Sequence, residues 1–312
     1  MARPRTDLLD PDKIKANLKT KRIGGKILVF DSTSSTNDIA AEYARNKQND
    51  GMVIFTEEQT AGRGRAGNKW LSGRADSILC SIVLSTGGSR TAPTELLSLT
   101  CAVAVAEAIG TTGRSRAKIK WPNDIMLNGK KVAGILLESK SLPISKSEIE
   151  NRKSKIYVAG IGINCHQKKE SFPDELQQIA TSIDAESHLS CSSFIVQRSA
   201  EFAVRSTQHA ARVDRVLLAK RLLSSVDHWL EVAANNSEKV IDRWRELSIQ
   251  LGHRVTLIYN GAKFAGYCIG IDPDKGLILR LDTGGIRMFD AAHTSVSKSS
   301  ERSRNVQTPG NN

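Results

Sequence analysis

KIKWPNDIMLNGKKVAGILLES, residues 118–139, is the stretch that decides the fold. Pro122 fixes its own φ and biases Trp121 toward an extended shape, and Asn128-Gly129 is the dipeptide of a tight hairpin turn. Lys131 then opens a strand in which Gly134 permits close approach by a ligand or by another backbone. Taken alone, the segment is an ordinary β-hairpin with Asp124 and Lys130 or Lys131 exposed.

Working outward, KIYVAGIGINC (155–165) is a further strand, reached through the polar stretch 141–154, which reads as a hairpin loop. Upstream, residues 26–46 read as strand, polar loop and helix. GMVIFTE (51–57) and SILCSIVLS (77–85) are two more strands, and TELLSLTCAVAVAEAIG (94–110) is a helix from a Thr94 cap to Gly110. Strands that follow one another through short turns imply a mixed, mostly antiparallel sheet packed with helices, an α+β fold. Residues 193–248 are helical in pattern. From 253, short strands alternate with the turns Asn260-Gly261, Asp274-Lys275-Gly276 and Gly284-Gly285, as in a small antiparallel barrel. The expected organisation is an N-terminal arm (1–26), a main domain (27–250), a small β-domain (251–296) and a disordered polar tail (297–312).

The chain has 312 residues, 39% hydrophobic and 25% charged, with no apolar run near the roughly 20 residues of a membrane helix. The N-terminus does not read as a secretory signal. Five cysteines without a CxxC pair argue against a disulfide framework and against a zinc site, so a reducing cytoplasm is expected. The six histidines show no ligand spacing, and His166 reads as a loop residue rather than a base.

The net charge of +12 is concentrated: residues 1–26 carry +5, 62–74 carry +4 and 111–131 carry +5. Aromatic residues are only 5%, and two of these stretches hold glycine turns and a tryptophan, which favours local anion binding over a nucleic-acid face. One such stretch lies in EEQTAGRGRAGNKW (57–70). Its glycines let backbone N–H groups approach a ligand, while Arg63 and Arg65 can grip phosphate or carboxylate. Its spacing fits neither a Walker loop nor a Rossmann turn.

GRGRAGNKW, KWPNDIML, KKVAGILLE and GIGINC, with an STN triplet upstream, occur in the order of the signature segments of the biotin protein ligases, which this chain resembles from about residue 27 to 296. The resemblance implies a class II aminoacyl-tRNA synthetase-like core with a C-terminal SH3-like barrel. It also implies a two-step reaction in which biotin and ATP give biotinyl-5′-AMP, and a lysine of a biotin carboxyl carrier domain then takes the biotin. Mg2+ is expected to arrive with ATP, without a metal site built by the protein alone.

By the same resemblance, Ser35, Thr36, Asn37, Gln59, Gly62, Arg63, Lys131, Gly134 and Gly160 bind biotin. Arg63, Arg65, Trp70, Lys120, Asn123 and Asn164 serve ATP or the adenylate, and Lys131, Arg65 and Asp124 are the catalytic group. Asn68 stands where many relatives have arginine. The STN triplet begins at Ser35, which leads us to expect a monofunctional ligase without a DNA-reading domain, binding no membrane and no specific DNA, with a homodimer left open. The competing readings are a lipoate or octanoate ligase and a non-catalytic biotin-binding protein.

Overall fold

Side chains alternate across a strand, so the register of the central strands determines which residues share a face. The computed structural model describes residues 7–86, 91–112, 116–140, 155–186 and 212–296. Cys191, the polar stretch 141–154, the beginning of the helical region at 193 and the tail 297–312 lie outside the described residues. The chain divides into two units, Met1–Leu247 and Ser248–Asn312.

In the first unit, β1 (Ile27–Phe30), β2 (Val53–Thr56), β3 (Ser77–Ser85), β4 (Lys118–Lys120), β5 (Asp124–Leu127), β6 (Lys130–Lys140) and β7 (Ile156–Asn164) form one sheet, ordered β1-β2-β3-β7-β6-β5-β4. Only β1 and β2 pair in parallel; every other pairing is antiparallel. The stretch 118–139 thus makes three strands rather than one hairpin. Its first two are separated by a turn holding Pro122, whose bond to Trp121 is cis.

Helix α1 (Pro11–Lys15) is short and α2 (Thr36–Tyr43) follows the polar loop. Ala40 and Ala44 pack on Ile54, Val83 and Val158, which places α2 on one sheet face. Helix α3 (Leu97–Gly110), almost entirely buried, packs against α4 (Arg215–Asn235), α5 (Ser237–Leu247) and strands β4, β5 and β6. In the second unit, β8 (Arg254–Tyr259), β9 (Ala262–Asp272), β10 (Gly276–Leu281), β11 (Ile286–Phe289) and β12 (Thr294–Val296) form an antiparallel sheet, ordered β11-β10-β9-β8-β12, which fits an SH3-like domain.

The basic N-terminus is not a solvated arm over residues 7–26. Ile14 and Ile23 are fully buried. The backbone N–H groups of Lys21, Arg22 and Ile23 all donate to the Asp227 carboxylate of α4, at 2.8–2.9 Å. Three apolar anchors as far apart as Leu9, Ile14 and Ile23 give no periodic signal, which is why the sequence read this segment as an arm.

The segment begins in a buried charge network. Arg215, with no exposed side-chain surface, donates to Glu57 at 2.8 Å, to Asp7 Oδ2 at 3.3 Å and to the carbonyls of Ser77 and Asp7. His166 lies between Asp7 and Asp184, 2.7 Å from each. It lies in the loop just beyond β7, as expected, and is buried there as a structural partner of two carboxylates. Burial by itself would raise Asp7, but the hydrogen bond with His166 and the nearby Arg215 charge outweigh it and hold that carboxyl down at about 2. Burial would lower His166, yet its bonds to Asp184 and Asp7 prevail and raise it.

A carboxylate depressed by folding stabilises the native state above its unfolded pKa, near 4, and loses that contribution as pH falls toward about 2. A raised imidazole contributes fully below about 6.5 and less as pH rises through its folded value. Urea titrations across pH should therefore show stability falling on both flanks. In Asp7→Asn the acid flank between about 4 and 2 should flatten; an unchanged acid flank would contradict the network's role.

Candidate active site

The antiparallel pairing of β7 with β3 and β6 gathers one set of residues on the α2 side of the sheet. Gly160 is opposite Ser81 and Gly162 opposite Leu79 on β3, while Gly134 on β6 is opposite Gly162. Asp124 on β5 is in turn the partner of Gly134. Strict alternation would put Lys131, three residues before Gly134, on the other face. A register shift between Ile125 and Met126 pairs Met126 with Lys131, so that Val132 is an extra residue and Lys131 turns to the same face as Asp124. Its backbone is held there by Ile179 and Thr181, with N–H to Ile179 O and Thr181 N–H to Lys131 O, both at 2.8 Å.

Trp70 lies across the two facing glycines. A Cβ on Gly162 would sit 2.5 Å from the indole Cε2, and one on Gly134 would sit 3.0 Å from its Cζ3. Lys131 Nζ is 5.7 Å from the indole centroid and 2.5 Å from Asp124 Oδ1. That contact is an ion pair without hydrogen-bond alignment, since Asp124 Oδ1 is buried and accepts no hydrogen bond. Arg65 donates to Asn123 Oδ1 at 3.3 Å. Burial lowers the Arg65 pKa, with the Asp124 charge opposing the shift. Asn123 is fixed by donating to Ile135 O and by receiving the Ile135 N–H. Lys120 is the register partner of Asp124.

A second cluster surrounds Gly160. Thr36 donates through both N–H and Oγ1 to Gln59 Oε1, at 2.8 and 3.1 Å. Ser81 Oγ lies 2.7 Å from Thr36 Oγ1 and donates to Asn37 Oδ1 at 2.5 Å, while Asn37 Nδ2 donates to Glu138 at 3.1 Å. Gly160 is required here, because a Cβ would come within 2.3 Å of Asn37 Oδ1. Ser35 is buried and starts α2 through its carbonyl, which accepts from Asp38 and Ile39.

The glycine loop between these clusters is a narrow hairpin. Trp70 N–H donates to Gly62 O, and Gly64 N–H donates to Asn68 O. A Cβ on Gly62 would meet Trp70 O at 2.7 Å. Asn68 donates to Arg65 O through both its backbone and its side-chain nitrogen, so the residue that replaces a loop charge also closes the turn. Arg63 points away from the Lys131 pair. It forms a two-pronged pair with Asp38 at 2.6 and 2.8 Å and stands 4.0 Å from Glu138; the Asp38 bond is the main cause of its raised pKa. Asn164 lies at the end of β7, where its side chain donates to Thr181 O and accepts from Gln167.

The structure therefore brings together Lys131, Asp124, Gly134, Trp70, Arg65 and Asn123 as one group, and Thr36, Asn37, Gln59 and Gly160 as another. Sequence reasoning missed Gly162, Ser81, Asp38, Glu138 and Gln167. The Gly160–Ile161–Gly162 alternation could have revealed the first of these, since two glycines spaced two apart bare one face of a strand. Among the described residues no group of three or more His, Cys, Asp or Glu is arranged to hold a metal ion.

Two basic side chains and a carboxylate thus stand beside a glycine-floored, tryptophan-covered platform, an arrangement suited to binding anions. Residues 29–166 match the family described as "Biotin/lipoate A/B protein ligase family". The chain is 30% identical over 284 residues to the bifunctional ligase/repressor BirA of Bacillus subtilis, covering 91% of this chain and 78% of that one. It is 28% identical over 289 residues to the biotin–[acetyl-CoA-carboxylase] ligase of Mycobacterium tuberculosis, covering 89% and 93%. The biotin protein ligase of Aquifex aeolicus, solved with biotin and ATP, shares the fold at a TM-score of 0.66 and 22% identity, over 88% of this chain and 100% of that one. The chain belongs to the biotin protein ligase family.

A methyl group at position 162 cannot coexist with the observed indole. Gly162→Ala should displace Trp70 and alter tryptophan fluorescence, whereas in a Trp70→Phe background the same substitution should leave fluorescence unchanged. An equal change in both backgrounds would mean that the two residues do not touch.

Proposed function

We propose that this enzyme activates biotin with ATP and transfers it to one lysine of a biotin carboxyl carrier domain, in the cytoplasm. The observation that supports this most directly is the Lys131–Asp124 pair beside Arg65 on the Gly134–Gly162 platform. A carboxylate and a triphosphate repel one another, and bringing them into reaction requires fixed positive charge and exclusion of water.

In the first step, a biotin carboxylate oxygen attacks the α-phosphorus of ATP, a new C–O–P bond forms and pyrophosphate leaves. Lys131 exchanges Asp124 for the carboxylate and the α-phosphate oxygens. Arg65, already partly buried, meets the charge that builds on the phosphate. The cluster of Thr36, Asn37, Gln59 and Ser81 offers hydrogen-bonding groups to the ureido ring of biotin, and Gly160 and Gly134 leave it room. Arg63 reaches the ligand by leaving Asp38.

In the second step, the amine of the acceptor lysine attacks the carbonyl carbon of the mixed anhydride. The C–O bond to phosphate breaks and AMP leaves. Asp124, released from Lys131, is placed to take the proton lost by the attacking nitrogen. Mg2+ suits Asp124, a carboxylate with an oxygen free of hydrogen bonds, because this ion is held mostly by phosphates and one or two carboxylates. It would supply charge neutralisation on the phosphates.

Before Ser35 the described residues hold α1 and β1, and among the described residues no helix is long and apolar enough to cross a membrane.

The deciding assay is pyrophosphate release from ATP with and without biotin, followed by the intact mass of an added carrier domain. Biotin-dependent release and one biotinyl increment are expected; release that is equal with lipoate or octanoate would favour the lipoate-ligase reading. Lys131→Ala should slow adenylate formation by about 10²- to 10³-fold, and adenylate made at the parent rate would remove Lys131 from the first step. Arg65→Gly should form adenylate but lose it to solution, seen as free biotinyl-AMP by chromatography. If no more escapes than from the parent, Arg65 does not retain the intermediate.

A further inference from the structure

Buried polar side-chain atoms in native proteins nearly always have a partner, so each exception calls for an explanation. Among the described residues the exceptions are Trp70 Nε1, Ser85 Oγ, Asp124 Oδ1, Gln167 Oε1 and Trp244 Nε1. Trp70 and Asp124 already belong to the platform. Gln167 adjoins the same face through Asn164 and Ser77, which are register partners on β7 and β3. Its side chain is 4% exposed, yet its carbonyl oxygen accepts nothing.

The identity of that free atom follows from its neighbours. Thr181 O can only accept, so the Asn164 atom 2.9 Å from it must be the amide nitrogen. Asn164 therefore presents its oxygen to Gln167, and the Gln167 atom 3.2 Å away must be Nε2. Nε2 also donates to Ser77 Oγ at 2.6 Å. With Asn164 fixed, the group left over is a carbonyl oxygen in a buried setting that receives no protein donor among the described residues. A few residues along the same chain segment, Trp70 covers Gly162.

We propose that Gln167 is a specificity-determining residue for the nucleotide: its Oε1 accepts a hydrogen bond from the exocyclic amine of adenine, while its Nε2 is held by Asn164 Oδ1 and Ser77 Oγ. The inference rests on the ligase reading given above and on the family resemblance that assigns Trp70 and Asn164 to ATP or the adenylate. An acceptor at this position favours adenine over a purine with no group at carbon 6 and over one with a carbonyl there, since the carbonyl would face another lone pair.

The test compares ATP with purine riboside triphosphate, which lacks only the amine, on the full chain. Affinities are measured by calorimetry, and biotin-dependent pyrophosphate release is followed in parallel. The parent should prefer ATP by about tenfold, and in Gln167→Met, a change of similar size without polar atoms, the preference should fall toward one while biotin affinity is kept. A merely structural glutamine would weaken both nucleotides alike and leave their ratio intact. Equal affinities in the parent overturn the proposal without any variant, so a misfolded Gln167→Met does not protect it. An unchanged preference in folded Gln167→Met overturns it as well. A preference that depends on Gln167 in a protein that releases no pyrophosphate would sustain the base contact and instead refute the ligase reading.

Discussion

Everything at the site depends on two glycines facing each other across adjacent strands. With Gly134 opposite Gly162, the middle of an otherwise crowded sheet has a bare backbone surface wide enough for an indole. Any Cβ there would lift Trp70. Because Trp70 N–H is bonded to Gly62 O, lifting it would also open the base of the glycine loop. The charged residues are therefore placed by packing. Lys131 and Asp124 stand beside a tryptophan held by what two residues lack.

The second constraint is the extra residue at Val132. Its effect is to put an odd-numbered lysine and even-numbered Gly134, Asp124 and Glu138 on one face, which no regular strand could do. The bulge is secured from outside the sheet, by residues 179–181, so Lys131 depends on a loop after β7 for its direction. That same loop supplies the carbonyl of Thr181 that orients Asn164. One short segment therefore fixes both the backbone of Lys131 and the amide at the end of β7.

Much of this was legible in the sequence, and the limits have physical causes. The strands carry dense runs of Ile, Leu and Val, and the Asn128-Gly129 turn has φ of 47° and 79°, as its two-residue loop demands. The family signature brought Lys131, Asp124, Arg65 and Thr36 to light, and the fold gathers the first three, with Thr36 in the neighbouring cluster. The bulge was invisible because nothing in KKVAG marks which residue is extra. Asp38 and Glu138 were missed since a carboxylate on a helix or strand gives no sign of which arginine it will meet. The arm was misread because its apolar anchors are isolated and the side chains that hold its backbone, Asp227 and Arg215, lie some 200 residues away.

The two arginines of the loop show how much the surroundings decide. They are two residues apart and chemically identical, yet Arg63 is satisfied by Asp38, whereas Arg65 is driven inward next to Asn123 with its charge disfavoured by burial. A guanidinium in that state gains from any anion brought close to it, because the anion restores the interaction that burial removed. Arg63 gains far less, since it must first give up a two-pronged pair at the surface, where such pairs are worth little but seldom nothing. The loop thus carries one half-buried arginine beside Asn123 and one exposed arginine paired with Asp38.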